Sequence, residues 1–450
     1  PLFTTLWYTV LEKANSYPNY WQQIRKMVKW NKYTYKHKKG KIIIKNIKIF
    51  YLCLVFLFVF PNISLARPEY DILNLPNNIS VNNEIPIKIA IIDSGIIDNE
   101  YLCSYVANSY NFLENNNDYT DEHGHGTKVT SIIVDLAKEI NLNIELFPLK
   151  VVNKEGRSST DNVIKAINYA IEQKVDIINI SMTNKNNTIE LKTAIQNAQI
   201  NNIIIVAGEG NNGENIELYP ASYENGISVG SIAQNKNISW FSNYNDKISI
   251  VAPGENITTM ELDGSYGLHG GTSFSTSFAT FEVALLKAKY PELNNDDIIK
   301  IIKETAINIG EIDKDTYYGH GIINYNNAIH HAYDALKEYK KWELMSNVLP
   351  NNSWTITFND LVKSTGDINI IDEYYNNIPI NLQINENKIK IEPLQNYKSN
   401  EIYSLVIENT ISSKDINLKE NVKMKFKTLN SAKIMNYQNV NEYISMPIWD

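Results

Sequence analysis

From Ile87 onward, short apolar runs alternate with longer stretches of helical period, the rhythm of strands joined by crossover helices. "IKIAIID" (Ile87 to Asp93), "IELFPLKVV" (Ile144 to Val152), "VDIINIS" (Val175 to Ser181) and "NIIIVAG" (Asn202 to Gly208) are dense in Ile and Val, so they are expected as buried strands of a parallel sheet. Between them, "STDNVIKAINYAIEQK" (Ser159 to Lys174) sets Val163, Ile164, Ile167 and Ile171 on one face behind Ser, Thr and Asp as cap candidates. "TKVTSIIVDLAKEI" (Thr127 to Ile140) and the apolar stretch from Ser273 to Lys289 predict two further helices. The expected architecture is α/β, a doubly wound parallel sheet flanked by helices, with polar residues gathered where the strands end at their carboxyl edge.

The period changes after residue 345. "NVLPNNS" (Asn347 to Ser353) carries turn chemistry, and from Trp354 apolar residues recur every second position: Trp354, Ile356, Phe358, then Ile378, Ile380, Leu382, Ile384, then Val422, Met424, Phe426. One polar face per strand predicts a small antiparallel β-sandwich. The boundaries expected are 67–345 for the first folded unit, 346–353 for a linker, 354–430 for the sandwich and 431–450 for a tail.

Composition changes the picture mainly at the N-terminus. Residues 1–66 hold eleven Lys or Arg and one acidic residue. A Lys-rich run, Lys36 to Lys48, leads into "IFYLCLVFLFVF" (Ile49 to Phe60), and Ser64 and Ala66 follow at small-residue cleavage positions, the tripartite pattern of a secretory signal. Met27 would open a signal of ordinary proportions, leaving residues 1–26 as an extension. The alternative is an uncleaved membrane anchor, which Lys45 and Lys48 leave short of the roughly 20 residues that a span needs. The rest of the chain has 31 basic against 49 acidic residues, a net −18, which argues against a nucleic-acid partner. Of the two cysteines, Cys53 lies in the apolar run, so a processed chain keeps only Cys103 and no internal disulfide.

Candidate chemistry begins at "DEHGHGTK" (Asp121 to Lys128). Two histidines at i and i+2 do not match the helical i, i+4 spacing of a zinc pair, and the glycines around His125 suggest a loop opening a helix. An imidazole there feels the positive end of the helix dipole, which favours the neutral form able to accept a proton. "IAIIDSG" ends a strand in Asp93, a candidate orienter, and "HGGTSFSTSF" puts Ser273 behind Gly270, Gly271 and Thr272 at a helix start, where free backbone amides could stabilise an oxyanion.

"AIIDSGI" around Asp93, "GHGT" around His125 and "GGTSFSTS" around Ser273, with "INISMT" and "IIIVAGEGNNG" between them and "YPASYENGISVGSI", "FSNYNDKISIVAPG" and "YGHGIINYNNAI" in order, give the chain a strong resemblance to the subtilisin-like serine proteases (subtilase family, peptidase S8) over roughly residues 85–335. The resemblance implies the family fold and a catalytic set of Asp93 as orienter, His125 as general base then acid, Ser273 as nucleophile and Asn211 as oxyanion donor. It also implies substrate-binding walls at Ser181, Met182 and Thr183 and at Ala207, Gly208, Glu209 and Gly210. Glu209, Glu217 and Glu224 lie around the stretches that border the pocket for the residue before the cut bond: either they are surface charges on an acidic protein, or at least one of them, Glu209 being best placed, faces that pocket and selects a basic side chain. His123 is expected as an exposed loop residue. Lys128 stands where the family usually has a second His, Phe274 to Ser277 replace its Met-Ala-x-Pro, and Met182-Thr183 replace Leu-Gly. The segment 67–86 is short for a chaperone prodomain, and the family's calcium-loop sequence is missing before Lys150, so neither metal nor cofactor is expected.

"WTITFNDLV", "NKIKIEPLQNY", "EIYSLVIENTISS" and "VKMKFKTL" resemble the Ig-like domains of bacterial surface-layer proteins. The expected protein is a secreted serine endopeptidase acting on protein or peptide substrates, with association to a cell wall or surface through the Ig-like unit. Two alternatives are a dedicated precursor-processing protease of narrow specificity and a catalytically silent surface-binding protein.

Overall fold

The computed structural model describes residues 68–76, 79–224, 226–311, 314–337, 339–373, 375–412, 414, 420–430 and 443–445. The extension and secretory signal read in residues 1–66 lie outside the described residues, as does most of the tail. Among the described residues, no helix is long and apolar enough to cross a membrane.

After a short helix, α1 (Pro68–Asp71), the chain enters a seven-stranded sheet. Its strands are β1 (Ile87–Asp93), β2 (Tyr110–Asn111), β3 (Ile144–Lys150), β4 (Ile177–Ile180), β5 (Ile204–Gly208), β6 (Ile227–Ile232) and β7 (Ile250–Pro253). Their order is β2-β3-β1-β4-β5-β6-β7, and every pairing is parallel. All four strands expected from the Ile and Val runs are present. The chain leaves β1 to one side for β3 and returns past β1 to β4, so the strand order reverses around β1. Open α/β sheets present a crevice at the carboxyl end of such a switch point, and here that end is Asp93.

Helices cover both faces because both faces are apolar. Ile87, Ile89 and Ile91 of β1 pack on one side with α3 (His125–Glu139), α6 (Thr272–Lys289), α7 (Asn295–Thr305) and α8 (Tyr325–Leu336); α2 (Glu100–Cys103) lies on the same side. Ala90 and Ile92 pack on the other with α4 (Thr160–Glu172) and α5 (Ile189–Ile200). Helix α4 begins where its cap residue permits: Ser159 Oγ accepts the Asn162 N–H at 3.2 Å, a bond worth about 1 kcal/mol. Its inward face is Val163, Ala166, Ile167 and Ala170, while Ile164 and Ile171 lie half-buried at the margin. A two-stranded hairpin, β8 (Ile257–Met260) with β9 (Tyr266–His269), precedes α6 and leads directly into it.

The C-terminal unit is a sandwich around a second core that includes Trp354, Ile356, Phe358, Ile370, Val422, Met424 and Phe426, all at most 2% exposed. One sheet runs β10 (Tyr339–Val348), β19 (Asn421–Thr428), β17 (Ile402–Glu408), β13 (Asp367–Asp372), β14 (Asn377–Ile378). The other runs β15 (Ile380–Asn385), β16 (Lys388–Pro393), β11 (Trp354–Thr357), β20 (Tyr443–Ser445). Short β12 (Val362–Ser364) pairs with β18 (Ile411–Ser412). Two features depart from the sequence reading. Strand β10 occupies residues divided there between the first unit and the linker, so the sandwich begins at Tyr339. In addition, β10 pairs with β19, and β11 with β20, in parallel within an otherwise antiparallel unit. The alternation of Trp342 and Leu344 with Lys341 and Glu343 is short and breaks at Met345 and Ser346, and β20 lies in the stretch read as a tail. Helix α8 meets the sandwich through polar contacts: Asp334 pairs with Lys423 and accepts the Tyr375 hydroxyl at 2.9 Å, and Tyr333 donates to Glu408 at 3.2 Å.

Candidate active site

Asp93 is the last residue of β1 and 1% exposed. His125 is the first residue of α3, and its Nδ1 lies 2.8 and 2.9 Å from the two Asp93 carboxylate oxygens. The other ring nitrogen, Nε2, lies 3.0 Å from Ser273 Oγ, at the start of α6. Residues 93, 125 and 273 therefore meet as a continuous acid, imidazole and hydroxyl relay at the carboxyl edge of the sheet.

The loop entering α3 is organised by a residue that the sequence reading passed over. Asp121 is 4% exposed; its Oδ1 accepts the His123 and Gly124 amides at 2.9 and 2.8 Å, and its Oδ2 accepts the Thr127 amide and hydroxyl at 2.9 and 2.7 Å. This satisfies the open amides of the helix start with a carboxylate. The signal was available as an acid six positions before the Thr of Gly-Thr. Gly126 must be glycine, because a Cβ there would meet the Gly95 carbonyl oxygen at 2.2 Å; its amide instead reaches Ser94 Oγ at 2.9 Å. His123 is exposed, with its ring 6.3 Å from that of His125.

Electrostatics at His125 differ from the dipole argument alone. Burial acts to lower its pKa, as does Lys128, yet the adjacent Asp93 carboxylate, the hydrogen bond to it and Asp121 outweigh them, so the pKa is raised above that of a free imidazole.

On the opposite flank of Ser273 lie Ser181 and Asn211. Ser273 Oγ reaches the Ser181 carbonyl at 3.3 Å, and Ser181 Oγ reaches the Ser273 carbonyl at 3.4 Å. The Asn211 side-chain oxygen accepts the Thr272 amide at 2.9 Å, which fixes the amide plane and turns its NH₂ toward Gly271, where a Cβ would lie 3.5 Å from Nδ2. Met182 is half-buried and Thr183 exposed, while Ala207, Gly208, Glu209 and Gly210 are buried.

Glu209 is turned inward. It has no exposed surface: Ser228 donates to one carboxyl oxygen, Asn245 Nδ2 to the other at 2.8 Å, and burial raises its pKa although both hydrogen bonds oppose this. Its carboxyl therefore offers nothing to an incoming basic side chain, in contrast to the expectation drawn from its place two residues before Asn211. What it holds is the neighbouring loop. Asn243 Nδ2 donates to the Glu209 carbonyl at 2.9 Å while its Oδ1 accepts the Asn212 and Glu214 amides at 2.9 and 3.3 Å, and Asn245 reaches the Ile216 carbonyl at 2.9 Å. Glu217 and Glu224 are exposed. Among the described residues, no three His, Cys, Asp or Glu side chains converge as a metal-binding group.

Known proteins resemble this chain in family and in fold. The subtilase family profile matches residues 85–321 and a bacterial Ig-like domain profile matches residues 344–428. The chain is 30% identical over 247 residues to subtilisin DY of Bacillus licheniformis, covering 53% of this chain and 89% of that protein. It is 30% identical over 264 residues to the minor extracellular protease Epr of Bacillus subtilis, covering 57% of this chain and 40% of that longer protein. Among solved structures, a lanthipeptide protease superposes with a TM-score of 0.51 at 23% identity, covering 54% of this chain and 87% of that one. A protease of Pseudoalteromonas arctica superposes at 0.52 and 21%, covering 58% and 94%. At such identities the superpositions establish the fold, a parallel sheet wrapped by helices, and the family matches establish the rest: this chain belongs to the subtilase family of serine peptidases and carries a bacterial Ig-like domain behind its catalytic domain.

Proposed function

We propose that the chain is a secreted serine endopeptidase in which Ser273 is the nucleophile, His125 the general base and then acid, Asp93 the orienter, and Asn211 with the Ser273 amide the oxyanion donors. The observation that carries this reading is the double engagement of one imidazole, 2.8 Å from Asp93 and 3.0 Å from Ser273. Asp93 holds the tautomer with its proton on Nδ1, which leaves Nε2 to take the Ser273 proton as Oγ attacks the peptide carbonyl. Negative charge then develops on the carbonyl oxygen beside Asn211 Nδ2 and the helix-start amide of Ser273. Collapse expels the amine, which takes its proton from His125, and water repeats the sequence on the acyl-enzyme. The polypeptide substrate lies between the edge at Ser181, Met182 and Thr183 and the wall at Ala207 to Gly210. Secretion is supported by the basic, apolar and small-residue sequence of residues 36–66. The Ig-like unit is assigned to holding the enzyme at a wall or surface.

Ser273→Ala tests the assignment. It should fold as the wild type, fail to react with a fluorophosphonate probe and lose about 10⁶ in kcat, a figure established on subtilisin rather than derived from this chain. Substantial turnover by that variant would overturn the proposal. Because His125 must be neutral to act and its pKa is raised, the acid limb of kcat/KM should lie above the range of a free imidazole.

A further inference from the structure

The hairpin that delivers α6 to the site brings three charged or titratable side chains together beside the relay. Lys128 lies one turn after His125 on α3, and its Nζ is 2.8 Å from Glu261 Oε2 in the turn between β8 and β9. The other Glu261 oxygen is hydrogen-bonded to Nε2 of His269, the last residue of β9, four positions before Ser273. Glu261 and His269 are each 32% exposed and Lys128 15%, so the group faces solvent without being free in it. Its position is given by Phe274, whose ring lies 6.3 Å from His125 on one side and 6.3 Å from His269 on the other.

That flank has a defined use under the triad reading above, on which this inference rests. The leaving nitrogen must come within reach of His125 Nε2 to collect its proton. Residues after the cut bond therefore pass along the His125, Phe274 and His269 side, while residues before it lie along Ser181 and Gly208 to Gly210. The group's spare bonding capacity decides what it accepts. Both Glu261 oxygens are occupied, and Lys128 and His269 draw its pKa down although partial burial opposes them, which keeps it ionised. Lys128 has three donors, one spent on Glu261 and one in a long 3.5 Å contact to the Gly124 carbonyl. The unspent charged donor is the remaining N–H of the Lys128 ammonium, so the fitting partner is an anionic acceptor. A basic side chain would instead have to compete with Lys128 for Glu261. The other charged side chain in this turn, Asp263, is exposed and hydrogen-bonded to the Ser265 amide and hydroxyl at 2.9 and 2.6 Å.

We infer that Lys128, Glu261 and His269 form a specificity subsite for the first residues after the cut bond, and that it selects an acidic side chain there. The test uses full-length enzyme and matched peptides built on a sequence it cuts in denatured casein, with Glu, Gln or Lys at each of the two positions after the bond. Ratios of kcat/KM between peptides cancel any effect that a variant has on His125, which Lys128 also faces. Wild type should favour Glu over Gln by about threefold to fivefold at one position, the range of a partly exposed ion pair, and should disfavour Lys. Lys128→Met should bring the Glu to Gln ratio to one. Glu261→Gln should move it the other way, to about tenfold, because Lys128 loses its counter-charge. A Glu to Gln ratio of one in wild type, a preference for Lys, or a ratio that Lys128→Met and Glu261→Gln both leave unchanged overturns the inference while the peptidase reading stands. No cleavage of any peptide, or cleavage by Ser273→Ala as well, overturns the peptidase reading and the inference with it.

Discussion

The parallel sheet and the C-terminal sandwich draw on the same Ile-rich vocabulary and bury it differently. Strands β4 and β6 bury every residue, whereas β13 and β16 begin with alternating exposed and buried positions. A strand covered by helices on both faces disfavours ionised side chains along its length: Lys88 and Glu145 stand next to strand starts, Asn179, Ser228 and Ser231 stay inside as neutral groups, and the candidate site residues emerge where the strands end. Asp93, Ser181 and Asn211 do so at one edge, within reach of the two helix starts that supply His125 and Ser273. The sandwich has an outer face for its charges. Lys388, Lys390 and Glu392 spread along β16, with only the local Lys390 and Glu392 pair among them. Burial on both faces thus does more than stabilise the catalytic unit: it concentrates chemistry in one place.

If the two regions divide stability and chemistry in this way, a core deletion in the sandwich should leave catalysis intact. Trp354 is fully buried and its ring packs on Phe426 at 4.9 Å. Trp354→Ala should destabilise the sandwich by about 3–5 kcal/mol in denaturant unfolding. Its kcat/KM per active site, counted by fluorophosphonate titration, should match wild type. A parallel loss of turnover would show that the contacts of Asp334 with Lys423 and Tyr333 with Glu408 make the two regions one functional unit.

A smaller effect tests whether the polar edge is itself supported from below. Glu209→Ala leaves the Ser228 hydroxyl and the Asn245 amide without their acceptor, a cost of about 1–3 kcal/mol. It also loosens the residue from whose backbone Asn243 positions the 212–214 amides, next to Asn211. The expected outcome is a fall in kcat of about tenfold with KM little changed, since an oxyanion donor acts in the transition state rather than in substrate binding. Glu209→Gln keeps an acceptor and should recover most of the rate. A rise in KM for peptides with Arg before the cut bond, with kcat unchanged, would instead return Glu209 to a pocket role.

These residues also mark where reading the sequence stopped. Asp93, His125 and Ser273 sit in contiguous motifs, and the strands and helices that carry them have uninterrupted periods, so both fold and relay were legible. The direction of the Glu209 side chain was not, because it depends on partners at positions 228 and 245 that share no local pattern with it. The same holds for Glu261, whose partners include Lys128, 133 positions earlier in the chain. Strand β10 was missed for a simpler reason: its pairing with β19 is parallel and irregular, with register shifts at Met345 and Val348, and leaves no clean alternation.

Glu282 is the exception that can sharpen the comparison, a carboxyl in the interior rather than at an edge. It lies mid-way along α6, fully buried, and neither oxygen has a protein hydrogen-bond partner. Burial pushes its pKa well above the ordinary carboxyl value; burial, and after it the charge Glu282 would carry, likewise raises that of Tyr325, whose hydroxyl donates to the Phe278 carbonyl at 3.0 Å. The native state therefore binds a proton that the unfolded chain releases once the pH exceeds the usual carboxyl range. The unfolded state then binds fewer protons than the native one, so this group's contribution to stability is fully present below that range and is lost as pH rises through the raised pKa. Glu282→Met, of similar size and apolar, should raise the melting temperature most at alkaline pH and flatten its fall with rising pH. The gain expected from removing an unpaired buried polar group is about 1–3 kcal/mol. Equal melting curves for variant and wild type at every pH would mean that the interior of α6 solvates the carboxyl as well as an edge does, and the contrast between interior and edge would fail at that point.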